Sequence, residues 1–127
     1  MKIYDFLGQH ICDNEEELLQ ILSTRAKNKS NDFELRHEEL YPYVAILVNG
    51  DKACVHYFRN ENDCGHYAYV EENGLSIDGF TTFHIGSEES ETQVSNQLVI
   101  SVGQAYIAAK AFLRTSKMAP ELFWYAL

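Results

Sequence analysis

Cys54-Val55-His56 and Cys64-Gly65-His66 put two thiols and two imidazoles into one short stretch. On a strand, one intervening residue places both members of such a pair on the same face. Cys and His are also the side chains zinc prefers. Cys54, His56, Cys64 and His66 therefore define one reading, a small metal-binding protein or enzyme. The spacing counts against it. Paired ligands of structural zinc sites are usually separated by about two to four residues, because a single spacer rarely lets both reach a tetrahedral ion. Cys64 falls in a loop while the other three fall in strands, and buried thiols are ordinary core residues. The favoured expectation is no metal and no cofactor.

The same loop nearly spells a calcium site. Asn60-x-Asn62-x-Cys64-Gly65, with Glu71 beyond, has the layout of an EF-hand loop. An amide stands at its first position, a thiol at its fifth, and strands flank it instead of helices. The missing oxygens are the ones that would hold the ion. Catalysis finds no better foothold. The chain has no GxSxG elbow, no HExxH, no glycine-rich phosphate loop, and no HxE followed by PCxxC. His56, His66 and His84 fall in strands beside aromatic residues. Glu34 and Glu38 are carboxylates of the kind that line a cleft, but no activated pair accompanies them. The expectation is that this is not an enzyme.

Acidity is the stronger signal. Ten Lys and Arg face nineteen Asp and Glu in 127 residues, a formal charge of -9. Such a field repels phosphates, so nucleic acid is not an expected partner, and it attracts basic proteins. Glu61 and Asp63 share one loop, Glu71 and Glu72 a turn, Asp78 precedes a strand, and Glu88, Glu89 and Glu91 share another loop. The plainer reading of these eight residues is a solvated surface. The sharper one is a rim of strand-connecting loops that mimics a polyanion and binds a partner.

The elements that must position these residues follow from pattern. With 46% hydrophobic and 13% aromatic residues the chain is not disordered, and its length suits one domain, 1–127. No apolar run is long enough to cross a bilayer, and the opening MKIYDFLGQHICDNEEE lacks the apolar core of a signal peptide. Three cysteines, Cys12, Cys54 and Cys64, cannot all pair within the chain, which favours a reducing, cytoplasmic setting. Residues 2–8 alternate loosely as a strand. Asp13 or Asn14 then caps a helix whose apolar positions run Leu18, Leu19, Leu22 and Ala26. Strands are expected at 32–38, 41–48 and 51–59, the last two joined by the Asn49-Gly50 hairpin turn. Others follow at 66–71, 79–86 and 97–101, with 87–92 as an acidic loop. Ser101 and Gln104 form a capping box for a second helix with an apolar stripe from Val102 to Leu113, and Pro120 lies beyond its end. The expected fold is α+β: an antiparallel sheet of about five to six strands with an N-terminal and a C-terminal helix packed on one face.

From Tyr43 onward the chain resembles family one of the immunity proteins of bacterial polymorphic toxin systems. Three features carry the likeness. One is the strand, Gly-Asp turn and strand of VAILVNGDKACVHYF. Another is the acidic, glycine-punctuated middle leading to QLVISVGQAYIAAKAFLRTSK. The third is the coda of Pro120-Glu121 and Trp124. The resemblance implies a cytoplasmic α+β protein that neutralises a cognate toxin domain by occlusion, without chemistry of its own. Toxins paired with this family are often nucleic-acid deaminases, and a basic toxin suits an acidic inhibitor. No membrane is implied, and a monomer or weak homodimer is expected. In the closing FWYAL, Trp124 is expected to dock on the second helix and sheet; the alternative is that the tail's aromatics are interface anchors.

Overall fold

The computed structural model describes residues 1–127. It opens on an antiparallel hairpin of β1 (Lys2–Asp5) and β2 (Gly8–Ile11). Helix α1 (Glu15–Leu22) begins at Asn14, whose side chain accepts the Glu17 N–H at 2.9 Å, with Glu15, Glu16 and Glu17 in the positive first turn. It stops short of Ala26. Ser23 Oγ donates to the Leu19 carbonyl (2.7 Å) and Arg25 Nη1 to that of Leu22 (2.6 Å), so side chains satisfy the last turn.

Next come β3 (Ser30–Arg36), β4 (Tyr43–Asn49), β5 (Lys52–Phe58) and β6 (His66–Tyr69), then β7 (Phe80–His84) and β8 (Glu91–Ser95). A single 3-10 turn spans Asn96–Leu98, followed by β9 (Ile100–Ser101), α2 (Val102–Thr115) and β10 (Phe123–Ala126). The main sheet runs β10-β6-β5-β4-β3-β1-β2 with β9 beside β5; β7 and β8 form a separate two-stranded ribbon. The sheet thus has eight strands, not five to six. The extra strands are short and lack alternation: GQHI is largely polar, FWYA is a continuous apolar run, and β9 has two residues. Backbone pairing with a distant neighbour defines them, and no local pattern announces that. For the same reason only Ile100 and Ser101 of 97–101 are strand, Gln97 and Leu98 closing the 3-10 turn, and Glu91 and Thr92 belong to β8 instead of the preceding loop.

Alternation in the central strands sends Phe33, Leu35, Val44, Ile46, Val48 and Val55 into one core. Leu18 and Leu22 of α1 and Ala105, Ala108, Ala109 and Phe112 of α2 belong to the same cluster. The alanines let α2 approach closely, and each large aliphatic or Phe side chain buried there contributes roughly 1.5–3 kcal/mol. Ser101 and Gln104 form the anticipated capping box. Tyr106 Oη donates to the Glu15 carbonyl at 3.2 Å, tying the helices together.

A smaller cluster of Leu47, Cys54, Phe83 and Val99 lies on the opposite face, where the β7–β8 ribbon crosses the sheet. Three bonds pin that ribbon: Asn49 Nδ2 to the Thr82 carbonyl (2.8 Å), Gly86 N–H to Asp32 Oδ2 (2.9 Å), and Asn28 Nδ2 to the Glu88 carbonyl (3.0 Å). At its base Asn96, almost fully buried, accepts from Thr81 Oγ1 (2.6 Å) and donates to the Ser76 carbonyl (2.9 Å). No helix is long and apolar enough to cross a membrane.

Candidate partner-binding face

The four Cys and His residues do not converge. Cys54 and His56 alternate on β5 and face the ribbon, and burial pushes the Cys54 thiol up to about 12. His66 is in register with Tyr57, whose ring lies in the helix-side core, so its imidazole projects to the other side of the sheet from His56. There it lies 3.8 Å from Asp63 Oδ2. Cys64 has an exposed thiol, and only its carbonyl meets His56, at 3.2 Å from Nε2. No group of three Cys, His, Asp or Glu side chains is placed to hold a metal ion.

The eight acidic residues lie in three places. Glu61 and Asp63 sit in the loop before β6, Glu71 and Glu72 in the loop after it, hence at opposite ends of that strand. Asp63 serves its own loop: it accepts from the Arg59 N–H (2.9 Å) and the Gly65 N–H (3.0 Å), and these bonds hold its carboxyl below the usual range. Glu71 and Glu72 line an open cleft of about 900 Å³ with Tyr69, Ile77, Gln97 and Tyr125. Asp78 is exposed next to it in sequence, just before β7. Glu88, Glu89 and Glu91 are exposed around the ribbon tip, on the Asn28 side of the molecule.

Sequence reading missed the surface between these groups. Tyr4, Glu34, Ala45, His56, Tyr67 and Tyr125 stand in register across β1, β3, β4, β5, β6 and β10. Directly paired residues point to the same side of a sheet, here the side away from the helices. The row below adds Arg36, Tyr43 and Phe58. Rings stack along this face: Tyr43 on Phe58 with centroids 4.6 Å apart, His56 on Tyr67 at 3.9 Å, and Tyr69 on Phe123 at 5.4 Å. His56 also meets Phe58 at 4.0 Å.

Ala45 is the smallest member of the row. Over it opens a hollow of about 410 Å³ bounded by Tyr4, Glu34, Tyr43, His56, Phe58 and Asp32. A second hollow of about 300 Å³ shares Asp32, Ala45 and His56 and continues along Leu47 and Cys54 to the ribbon. Burial raises the Asp32 carboxyl above the usual range, against its bond from the Gly86 N–H and with the Glu34 charge adding to the rise. Burial lowers the His56 imidazole, which is therefore neutral at pH 7. Only the alternation of β3 to β5, with Asp32, Glu34, His56 and Phe58 on the non-core positions, signalled this face in the sequence.

The tail divides between both readings. Leu122 is buried, and Trp124 packs on the core, edge-on to Tyr57 at 6.3 Å, with Nε1 donating to the Ala119 carbonyl at 2.9 Å. Phe123, Tyr125 and Leu127 remain about half exposed. The docking is that of an added strand: β10 pairs with β6, and the Leu127 N–H reaches the Gly65 carbonyl at 3.0 Å.

The α+β scaffold thus carries an open, ring-lined face on the side of the sheet away from the helices, with the carboxylates of Asp32 and Glu34 on it. No protein-family model matches the chain. It is 30% identical over 124 residues, covering 97% of both chains, to the double-stranded DNA deaminase immunity protein of Burkholderia cenocepacia (strain H111). The chain belongs to this family of immunity proteins.

Proposed function

We propose that this chain neutralises a cognate deaminase toxin by binding over its active site, and that it catalyses nothing itself. The observation that carries the reading is the near full-length relationship to a protein named for immunity to a double-stranded DNA deaminase. Physical chemistry supports it. An enzyme that acts on DNA needs a cationic surface to hold the phosphate backbone. A chain of formal charge -9 complements such a surface and competes for it. In this reading residues 1–127 act as one unit, as a monomer in the cytoplasm of the producing cell, with the toxin as partner and nucleic acid excluded. The exposed carboxylates of Glu61, Glu71, Glu72, Asp78, Glu88, Glu89 and Glu91 speed the encounter, while Asp63 orders its loop.

The test is inhibition. A deaminase domain identified as the cognate toxin is assayed on double-stranded DNA with increasing amounts of the purified chain. Stoichiometric loss of deamination is expected. Undiminished deamination at a large excess of the chain would reject the proposal.

A further inference from the structure

The hollow over Ala45 is walled by rings and left unfilled by the chain itself. Tyr43, Phe58 and His56 present aromatic surface to it, and these large side chains are held from collapsing into it by their ring contacts, Tyr43 stacked on Phe58, His56 stacked on Tyr67 and tilted against Phe58. Three lining residues bear carboxylates, Asp5, Asp32 and Glu34, and none is Lys or Arg. Asp5 is already engaged by the Leu7 and Gly8 N–H groups and by His10. Asp32 differs. Its Oδ2 accepts the Gly86 N–H, and no hydrogen bond occupies its Oδ1.

The chain displays the matching chemistry at the edge of the same face. The Arg36 guanidinium lies 5.2 Å from the centre of the Tyr4 ring while Nη2 pairs with Glu34. A ring and a carboxylate acting together thus already hold one guanidinium here. Arginine is the cation that fits such a setting, because its plane stacks on rings and is less strongly hydrated than an ammonium group.

We infer that the hollow over Ala45 receives one arginine side chain of the cationic toxin, stacked among Tyr43, Phe58 and His56 with its guanidinium directed at Asp32. The identity of the occupant rests on the proposed function; the hollow, its rings and its charge do not. As an aromatic pocket that a bound partner would close off from water, it has the character of an interface hot spot, while the exposed acidic loops contribute mainly to encounter.

Two variants and two probes test this. Ala45→Phe fills the hollow and leaves every carboxylate in place. Asp32→Asn removes the charge and keeps an acceptor for the Gly86 N–H. The probes are the cognate deaminase domain, followed by calorimetry, and N-acetylarginine methylamide, followed by amide shifts of the isotope-labelled chain with the uncharged citrulline analogue as control. The arginine probe is expected to shift resonances around Ala45 and His56, and the citrulline analogue to leave them in place. Each variant is expected to abolish those shifts and to weaken toxin binding by about tenfold or more, with a melting temperature no lower than that of wild type. Toxin bound by both variants as tightly as by wild type overturns the inference while the proposed function stands. Wild-type chain that does not bind the toxin overturns both.

Discussion

His56 can stack on Tyr67 and pack at a tilt against Phe58 because residue 65 has no side chain. Gly65 has φ +101°, and a Cβ there would lie 2.1 Å from His56 Nε2. Gly65→Ala therefore strains the backbone and expels the imidazole from the aromatic row. The expected loss is about 1–3 kcal/mol, read by chemical denaturation, together with loss of the His56 ring contacts by NMR. Asp32 makes a prediction of opposite sign. Its carboxyl is raised in the folded state, so the fold binds a proton there more tightly than the unfolded chain does. Its contribution to stability is accordingly lost as pH rises from the ordinary carboxylate range through the raised value. Asp32→Asn should melt higher than wild type at pH 7 and show a flatter stability–pH profile between mildly acidic and neutral pH. A lower melting temperature for this variant would mean that the Gly86 bond needs the charge. Stability is thus held below its maximum at a residue we assign to binding.

Among the elements, the last strand carries the sharpest contrast. β10 turns one side chain in and the next out: Trp124 packs on the core, while Phe123 and Tyr125 lie on the sheet face away from the helices. Trp124→Ala should cost roughly 2–3 kcal/mol, less than a fully buried Trp because the ring is only half-buried. Tyr125→Ala should stay within about 0.5 kcal/mol of wild type. Equal losses from the two, measured by urea titration, would show that the tail acts through its backbone pairing with β6 and not through the indole. The β7–β8 ribbon makes the other element-scale point. It crosses the binding side of the sheet, and its ladder is separate from the main sheet, so its position depends on Phe83 and on the side-chain bonds from Asn28, Asp32 and Asn49.

For the molecule as a whole, a charge of -9 predicts that toxin association slows steeply with salt. Raising ionic strength from about 0.05 M to 0.5 M should lower the association rate by roughly tenfold or more, with a smaller change in dissociation. Reversing Glu88, Glu89 and Glu91 together should flatten that dependence, because these exposed charges contribute long-range field. Stopped-flow association at several salt concentrations reads both effects. An unchanged slope in the triple variant would assign steering to the other carboxylates.

Local causes were legible in the amino-acid order. The hairpin expected at Asn49-Gly50 forms one residue on, at Gly50-Asp51 with Gly50 at φ +61° and Asn49 still paired in the strand; Asn14 and Ser101 cap their helices from within one turn, and alternation in 30–58 separates core from surface. Each depends on neighbours a few residues apart, so the sequence by itself determined them, along with the acidity and the near full-length kinship. The candidate binding face belongs to tertiary structure. Tyr4 and Tyr125 stand at opposite ends of the chain and enter one row only through five successive strand registers. A shift of one residue in any of them would turn that strand's rings to the other side. Strand order and register are set by the packing of the whole core, which is why the stacked rings, the hollow over Ala45 and the splitting of the tail into one buried and one exposed side appear only once the chain is folded.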